Sequence, residues 1–313
     1  MNIDTIWYEQ LAYNKIIRQI ENNDDKSYWT EKYLLGLVSE IDEVLREIKW
    51  KRHRRSNSVT LREDNIGLEL ADLFKYVLCL FDIWGFSKDQ MLDIVQQKGR
   101  MLDFKLRMEF RQNLPIGSKV AIIDIDGVVA DLNSSFAEWA RDVKGLKISE
   151  EDLYKSTKQD QFIPLNYPDY ASLKTEFEFN GGYRNLKAYP DAIIFVNKLR
   201  YEEVFIIFVT SRPVSRQTRI FFDTWSWLLD SDIPFDEIHI EEEDRIILAD
   251  KLMREGCRVA MFDDNPEIIN RAFRSNIPIF AREHPYNFSL PLSVRKFKSF
   301  SQLAFEDIWR SDV

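Results

Sequence analysis

The first 110 residues repeat apolar positions three and four apart, and the remainder of the chain switches to short, unbroken apolar runs. The 3.6-residue period predicts four amphipathic helices: Ile6 to Ile20, Tyr28 to Lys49, Ile66 to Ile83 and Lys88 to Phe110. A polar, charged gap from Lys51 to Asp64 separates the middle pair. The turn Trp84-Gly85-Phe86-Ser87 separates the last pair, with Ser87 as a candidate N-cap. Arg111 to Ser118 carries a proline and a glycine and marks a domain boundary. Beyond it, the runs Ala121 to Ile123, Val204 to Val209 and Val259 to Phe262 read as buried strands alternating with helices, the pattern of a doubly wound parallel sheet. Between Leu132 and Tyr189 the strand pattern lapses for too long to be a simple crossover, so this stretch reads as an inserted cap. The expected fold class is therefore multidomain α and α/β: an all-α bundle over 1–113, then a doubly wound sheet over 118–313 with a small helical cap at about 132–189.

Composition adds constraints. The chain has 313 residues, 45% of them hydrophobic and 30% charged, with no repeats or low-complexity tracts, which is enough for two globular domains. Cys79 and Cys257 fall in apolar or helical stretches and read as reduced core residues, which points to a cytoplasmic setting. No run reaches the roughly 18 apolar residues a membrane helix needs, and the N-terminus has no basic-then-apolar leader pattern. Net charge is −9, with 18 basic and 19 acidic residues in 1–113 and 25 and 33 in the rest. That excess disfavours a nucleic-acid partner for the second half, while a small anion held through a metal remains compatible with it. His53, His239 and His284 are scattered, which argues against zinc sites and serine-histidine triads.

The strongest chemical signal is Asp124-Ile-Asp126-Gly127, at the end of the first strand. Carboxylates two apart on a strand share a face and repel unless a hard cation such as Mg²⁺ joins them. The second strand ends in Thr210-Ser211-Arg212-Pro213 and the third in Asp263-Asp264-Asn265-Pro266, with Lys251 before the third. Ligands bind beyond the carboxyl ends of parallel strands, so these segments mark one pocket. In this order they resemble the haloacid dehalogenase-like phosphatases, over about residues 118 to 300. Asp124 to Asp131 and Gly182-Tyr-Arg-Asn-Leu-Lys-Ala-Tyr-Pro190 further resemble the 5′-deoxyribonucleotidases. The resemblance implies Asp124 as nucleophile, Asp126 as acid and base, Thr210 and Lys251 as phosphoryl partners, and Ser211 and Arg212 as substrate contacts. It also implies Mg²⁺ held by Asp124, Asp126, Asp263 and Asp264, with the direct ligand of the last two left open. Those enzymes place their lysine in an Asp-Lys-Thr segment, whereas the comparable stretch here is Asp244-Arg245-Ile246. Cap aromatics, among them Phe136, Trp139, Tyr154, Phe162, Tyr167, Tyr170, Phe177, Phe179 and Tyr183, either stack a base or simply form the core of the cap.

A second acidic pattern lies in the helical half. Glu40 and Glu43, then Glu69 and Asp72, are each three apart on one helix face among apolar neighbours. Either both pairs are solvated, or they meet at a helix interface that divalent ions neutralise. The pattern resembles the all-α nucleoside triphosphate pyrophosphatases, the MazG and dimeric dUTPase group, over about residues 25 to 110. That resemblance implies Mg²⁺ on Glu40, Glu43, Glu69 and Asp72, with Lys75 and Lys98 as phosphate contacts. The basic run Lys49 to Arg55 reads as a charged loop.

Together the two resemblances imply a bifunctional nucleotide hydrolase, in which the helical site makes monophosphate from triphosphate and the α/β site dephosphorylates it. Two alternatives stand beside it: a phosphatase whose helical half is a dimerisation scaffold, and a nucleic-acid end phosphatase. The expected partners are small nucleotides and further copies of the chain, as a homodimer or larger homo-oligomer, with no membrane.

Overall fold

The computed structural model describes residues 2–47, 63–109, 114–148, 153, 170–213, 219–240 and 244–309. The chain folds as two units, Met1–Arg100 and Met101–Val313.

The first unit is helical, with α1 (Ile3–Glu21), α2 (Lys26–Glu47) and α3 (Glu63–Ile83); α4 (Lys88–Glu109) spans the division. Trp29, fully buried on α2, packs with Tyr33, Cys79 and Ile83, while Trp7 packs with Leu78 and Met91. Gly36 permits the close approach of α2 and α3, because a Cβ there would meet the Tyr76 ring at 2.4 Å. Ser87 caps α4 as expected: its Oγ accepts from Gln90 N at 3.2 Å, and Gln90 Oε1 accepts from Ser87 N at 2.8 Å. The expected polar gap and the basic run at 49–55 lie outside the described residues, apart from Glu63 and Asp64, which begin α3.

The second unit opens with β1 (Lys119–Ile123), followed by β2 (Ala130–Asp131), α5 (Leu132–Lys144), α6 (Tyr170–Phe179) and β3 (Lys187–Ala188). Next come α7 (Pro190–Tyr201), β4 (Phe205–Thr210), α8 (Arg219–Asp230), β5 (Glu237–Ile240) and α9 (Arg245–Arg254). The fold closes with β6 (Arg258–Asp263), α10 (Pro266–Arg274), β7 (Ile279–Arg282), β8 (Arg295–Phe297) and α11 (Phe305–Ile308). Six strands form a parallel sheet in the order β5-β4-β1-β6-β7-β8. Val120 and Ile122 face one core with Ile207, Val209 and Met261, and Ala121 and Ile123 face another with Ile206, Phe208 and Phe262. Burial on both faces is why β1, β4 and β6 read as unbroken apolar runs.

From β1 the chain builds outward through β4 and β5, then returns to place β6, β7 and β8 on the other side. That reversal leaves a crevice at the carboxyl ends of β1, β4 and β6. The two-residue antiparallel ladder of β2 with β3 marks where the chain departs into the helical cap and returns from it. An all-α unit followed by a parallel sheet with a helical cap is the fold class expected from the sequence. Cys79 and Cys257 are buried thiols outside any disulfide, and no described helix is long and apolar enough to cross a membrane.

Candidate active site

A cavity of about 530 Å³ opens at the crevice, lined by Asp124, Asp126, Thr210, Ser211, Arg212, Arg245 and Asp264, with Leu132, Lys174 and Tyr183 contributed from the cap side. Asp124 follows β1 directly, tied by its N–H to Phe262 O at 2.9 Å. The chain then turns sharply, with Val129 and Ala130 both donating to Ile125 O. Gly127 sits at φ +83°, and a Cβ there would lie 2.0 Å from Asp264 Oδ2. Only glycine satisfies both the backbone conformation and the approach of the opposing carboxylate.

Asp124, Asp263 and Asp264 are buried, and one carboxylate oxygen from each lies within 4.8 Å of the others. Arg245 joins them, its Nη1 donating to Asp124 Oδ1 at 2.7 Å and to Asp263 Oδ2 at 2.5 Å, and its Nη2 to Ser211 Oγ at 3.2 Å. Asn265 N donates to Asp263 Oδ1 at 2.8 Å, and the Tyr286 hydroxyl donates to Asp264 Oδ2. Burial first, then the neighbouring aspartates, hold Asp124 well above the ordinary carboxylate range, with Arg245 only partly offsetting them. Burial and the Asp263 charge push Asp264 up to about 7. Three carboxylates around one guanidinium leave two negative charges uncompensated, the charge of one divalent cation. The donor set therefore fits Mg²⁺.

Asp126 stands apart from this trio. Arg212 grips it through two parallel hydrogen bonds, Nε to Oδ2 at 2.9 Å and Nη2 to Oδ1 at 2.6 Å. Arg212 is 2% exposed; its Nη1 donates to Thr224 Oγ1 at 2.9 Å and its guanidinium lies 4.3 Å from the Tyr183 ring centroid. Arg212, expected to contact substrate, lines the cavity, and its three nitrogens also bond within the protein, two of them to Asp126. Thr210, 3% exposed at the end of β4, lines the cavity where the sequence placed it.

Lys251 does not reach the site. It is exposed on α9, outside the cavity lining, and Arg245 takes up the expected cationic position. The reason is geometric. A crossover helix starts at the carboxyl edge of the sheet and ends at the amino edge, so a residue six positions on lies ~9 Å further along the axis, away from the crevice. Arg245 is the first residue of α9, whose N-cap is Asp244. The signal was present in the departure from Asp-Lys-Thr to Asp244-Arg245-Ile246. Tyr286 and Lys174 were missed, because neither lies in a motif.

In the helical unit, Glu40, Glu43 and Glu69 come together, one oxygen of each within 4.8 Å of the others. Partial burial, with the charges of Glu43, Asp72 and Glu69, raises Glu40 above the usual carboxylate value. Asp72 lies outside that trio and pairs with Lys75 at 3.0 Å. A cavity of about 690 Å³ beside them is lined by Glu40, Asp72 and Lys75, with Tyr13, Trp29, Tyr33 and Tyr76. Lys98 is exposed on α4 and does not line it.

No family model matches the sequence, and no curated protein is similar to it. Among solved structures, CbbY from Rhodobacter sphaeroides in complex with phosphate is 12% identical, with a TM-score of 0.42 over 61% of this chain and 99% of that one. A haloacid dehalogenase-like hydrolase from Bacteroides fragilis is 17% identical, with a TM-score of 0.41 over 60% and 100%. A haloacid dehalogenase hydrolase of family IA from Entamoeba histolytica is 16% identical, with a TM-score of 0.40 over 61% and 97%.

Proposed function

We propose that the α/β unit is a phosphomonoester hydrolase of the haloacid dehalogenase type. The observation that carries this reading is the cluster at the carboxyl ends of β1 and β6, where Asp124, Asp263 and Asp264 converge and Arg245 bridges two of them. Asp124 attacks phosphorus and forms an acyl phosphate while the ester oxygen leaves; water then hydrolyses the acyl phosphate, so one difficult hydrolysis becomes two easier steps. Asp126, oriented by Arg212, protonates the leaving oxygen and later takes a proton from water. Arg245 offsets charge on the phosphoryl oxygens, and the Thr210 hydroxyl donates to one of them. Asp124, Asp263 and Asp264 would hold Mg²⁺, which when bound would supply the charge that keeps the nucleophile ionised beside an anionic substrate.

The cavity has the size of a small-ligand site. Nucleoside 5′-monophosphates are the first substrates to try, because Asp124 to Asp131 and Gly182 to Pro190 resemble the 5′-deoxyribonucleotidases. Phosphate release from p-nitrophenyl phosphate and from a panel of nucleotides, with Mg²⁺, tests the reading; no release from any ester contradicts it.

A second reading concerns the helical unit, where the clustering of Glu40, Glu43 and Glu69 favours Mg²⁺-dependent hydrolysis of a nucleoside triphosphate to monophosphate and pyrophosphate. The competing role is a scaffold. Leu35, Val38 and Leu68 are 65%, 62% and 66% exposed, which supports self-association through apolar helix faces in either case. Pyrophosphate release from triphosphates separates the two roles, since a scaffold releases none.

A further inference from the structure

The cap meets the phosphatase cavity through Leu132, Lys174 and Tyr183. Tyr183 is already committed: its hydroxyl donates to Glu178 at 2.9 Å and its ring lies against Arg212. Tyr154, Phe162 and Tyr167 lie outside the described residues, and Phe136, Phe177 and Trp139 are spent on the cap's own core. Phe136 and Phe177 are each 2% exposed, and with Trp139 they form a cluster with centroids 5.4 to 6.0 Å apart. Leu132 offers no polar group. Lys174, half-buried on α6, thus stands as a cap cation with neither hydrogen bond nor ion pair among the described residues. An ammonium partly withdrawn from water without a partner is unfavourable until an anion reaches it.

On the sheet side, Arg245 and Thr210 serve the phosphoryl group. The leaving part of the substrate faces the cap, where the lining ring is engaged and the ammonium is not. We propose that Lys174 determines specificity by receiving an anionic group, a carboxylate or a second phosphate, on the alcohol that leaves. The preferred substrates are then small phosphate monoesters bearing a second acidic group. This proposal rests on the phosphomonoesterase reading above and departs from its nucleotide suggestion, since the alcohol that leaves a nucleoside 5′-monophosphate carries no second acidic group.

The test is kcat/KM with Mg²⁺ for wild type, Lys174→Gln and Lys174→Arg on four esters: 3-phosphoglycerate, fructose 1,6-bisphosphate, thymidine 5′-monophosphate and p-nitrophenyl phosphate. The first two distinguish a carboxylate from a second phosphate. Wild type should favour one of them over both esters without a second acidic group. Lys174→Gln should shrink that ratio by on the order of 10- to 100-fold, mainly through KM, while Lys174→Arg retains it. Equal or better turnover of the nucleotide by wild type, or an unchanged ratio in Lys174→Gln, overturns the proposal while leaving the phosphatase intact. Failure to hydrolyse any ester, p-nitrophenyl phosphate included, removes the phosphomonoesterase reading and this proposal with it.

Discussion

One nitrogen of Arg245 bridges Asp124 and Asp263, lying 2.7 Å from the first carboxylate and 2.5 Å from the second. The residue is 7% exposed, so both contacts operate in a poorly solvated site where an unpaired charge is costly. Burial works against the guanidinium charge, yet Asp124 and Asp263 outweigh it and hold Arg245 above its ordinary value.

Arg245→Ala should therefore act on both activity and stability. Phosphatase turnover is expected to fall by about 10²- to 10³-fold. Loss of the guanidinium that bridges two members of the trio should destabilise the metal-free protein by about 3–5 kcal/mol. Lys251→Ala, in an exposed position, should keep turnover within about twofold and stability within about 0.5 kcal/mol. Steady-state assays and urea unfolding check both; a reversed ranking of the two variants would return the cationic role to Lys251.

Metal should stabilise the protein more at high pH than at low pH. Asp124 and Asp264 have folded values raised above the unfolded ~3.9, so the folded state binds more protons than the unfolded chain between that pH and the folded values. Stability of the metal-free protein from these groups consequently falls as pH rises, for Asp264 through the window ending near 7. Binding Mg²⁺ requires the ionised forms, so the Mg²⁺-induced rise in Tm should be larger at about pH 8 than at about pH 5.5. A shift that is equal at both pH values, or larger at the lower one, would count against the trio as the metal site.

Gly127→Ala should cost at least about 1–2 kcal/mol for the left-handed backbone alone. A Cβ aimed at Asp264 must also displace that carboxylate. Calorimetric titration should show weakened Mg²⁺ binding; full retention of affinity would mean that the loop moves without disturbing Asp264.

In the helical unit, Glu43→Gln removes a carboxylate from its trio. If the unit hydrolyses triphosphates, pyrophosphate release should drop by at least about 10-fold while phosphate release from monoesters persists. Wild-type pyrophosphate release by a folded Glu43→Gln protein would place Glu43 on a passive surface.

Much of this was legible in the chain. The unbroken apolar run of β1 and the carboxylates after it followed from burial on both faces and from strand geometry. Ser87 followed from its place before an amphipathic run. Lys251 misled because order along the chain does not say which edge of the sheet a residue occupies; α9 carries its first residue, not its seventh, to the crevice. The Arg212 pairing was not legible: a guanidinium at a strand end can line a cavity with or without holding a neighbouring carboxylate, and the two bonds to Asp126 depend on the positions of Asp126, Thr224 and Tyr183 in the fold. Tyr286 lies 22 residues beyond Asp264, with no local pattern to link them.

The most direct test is phosphate release from p-nitrophenyl phosphate and a nucleoside 5′-monophosphate by Asp124→Asn, in Mg²⁺, with wild type alongside and folding verified by circular dichroism. Asparagine keeps the shape and removes the nucleophilic charge, so turnover should fall by at least about 10³-fold on any ester that wild type hydrolyses. Phosphate release by folded Asp124→Asn at the wild-type rate would contradict the assignment of this carboxylate as nucleophile, and with it the proposed function of the site.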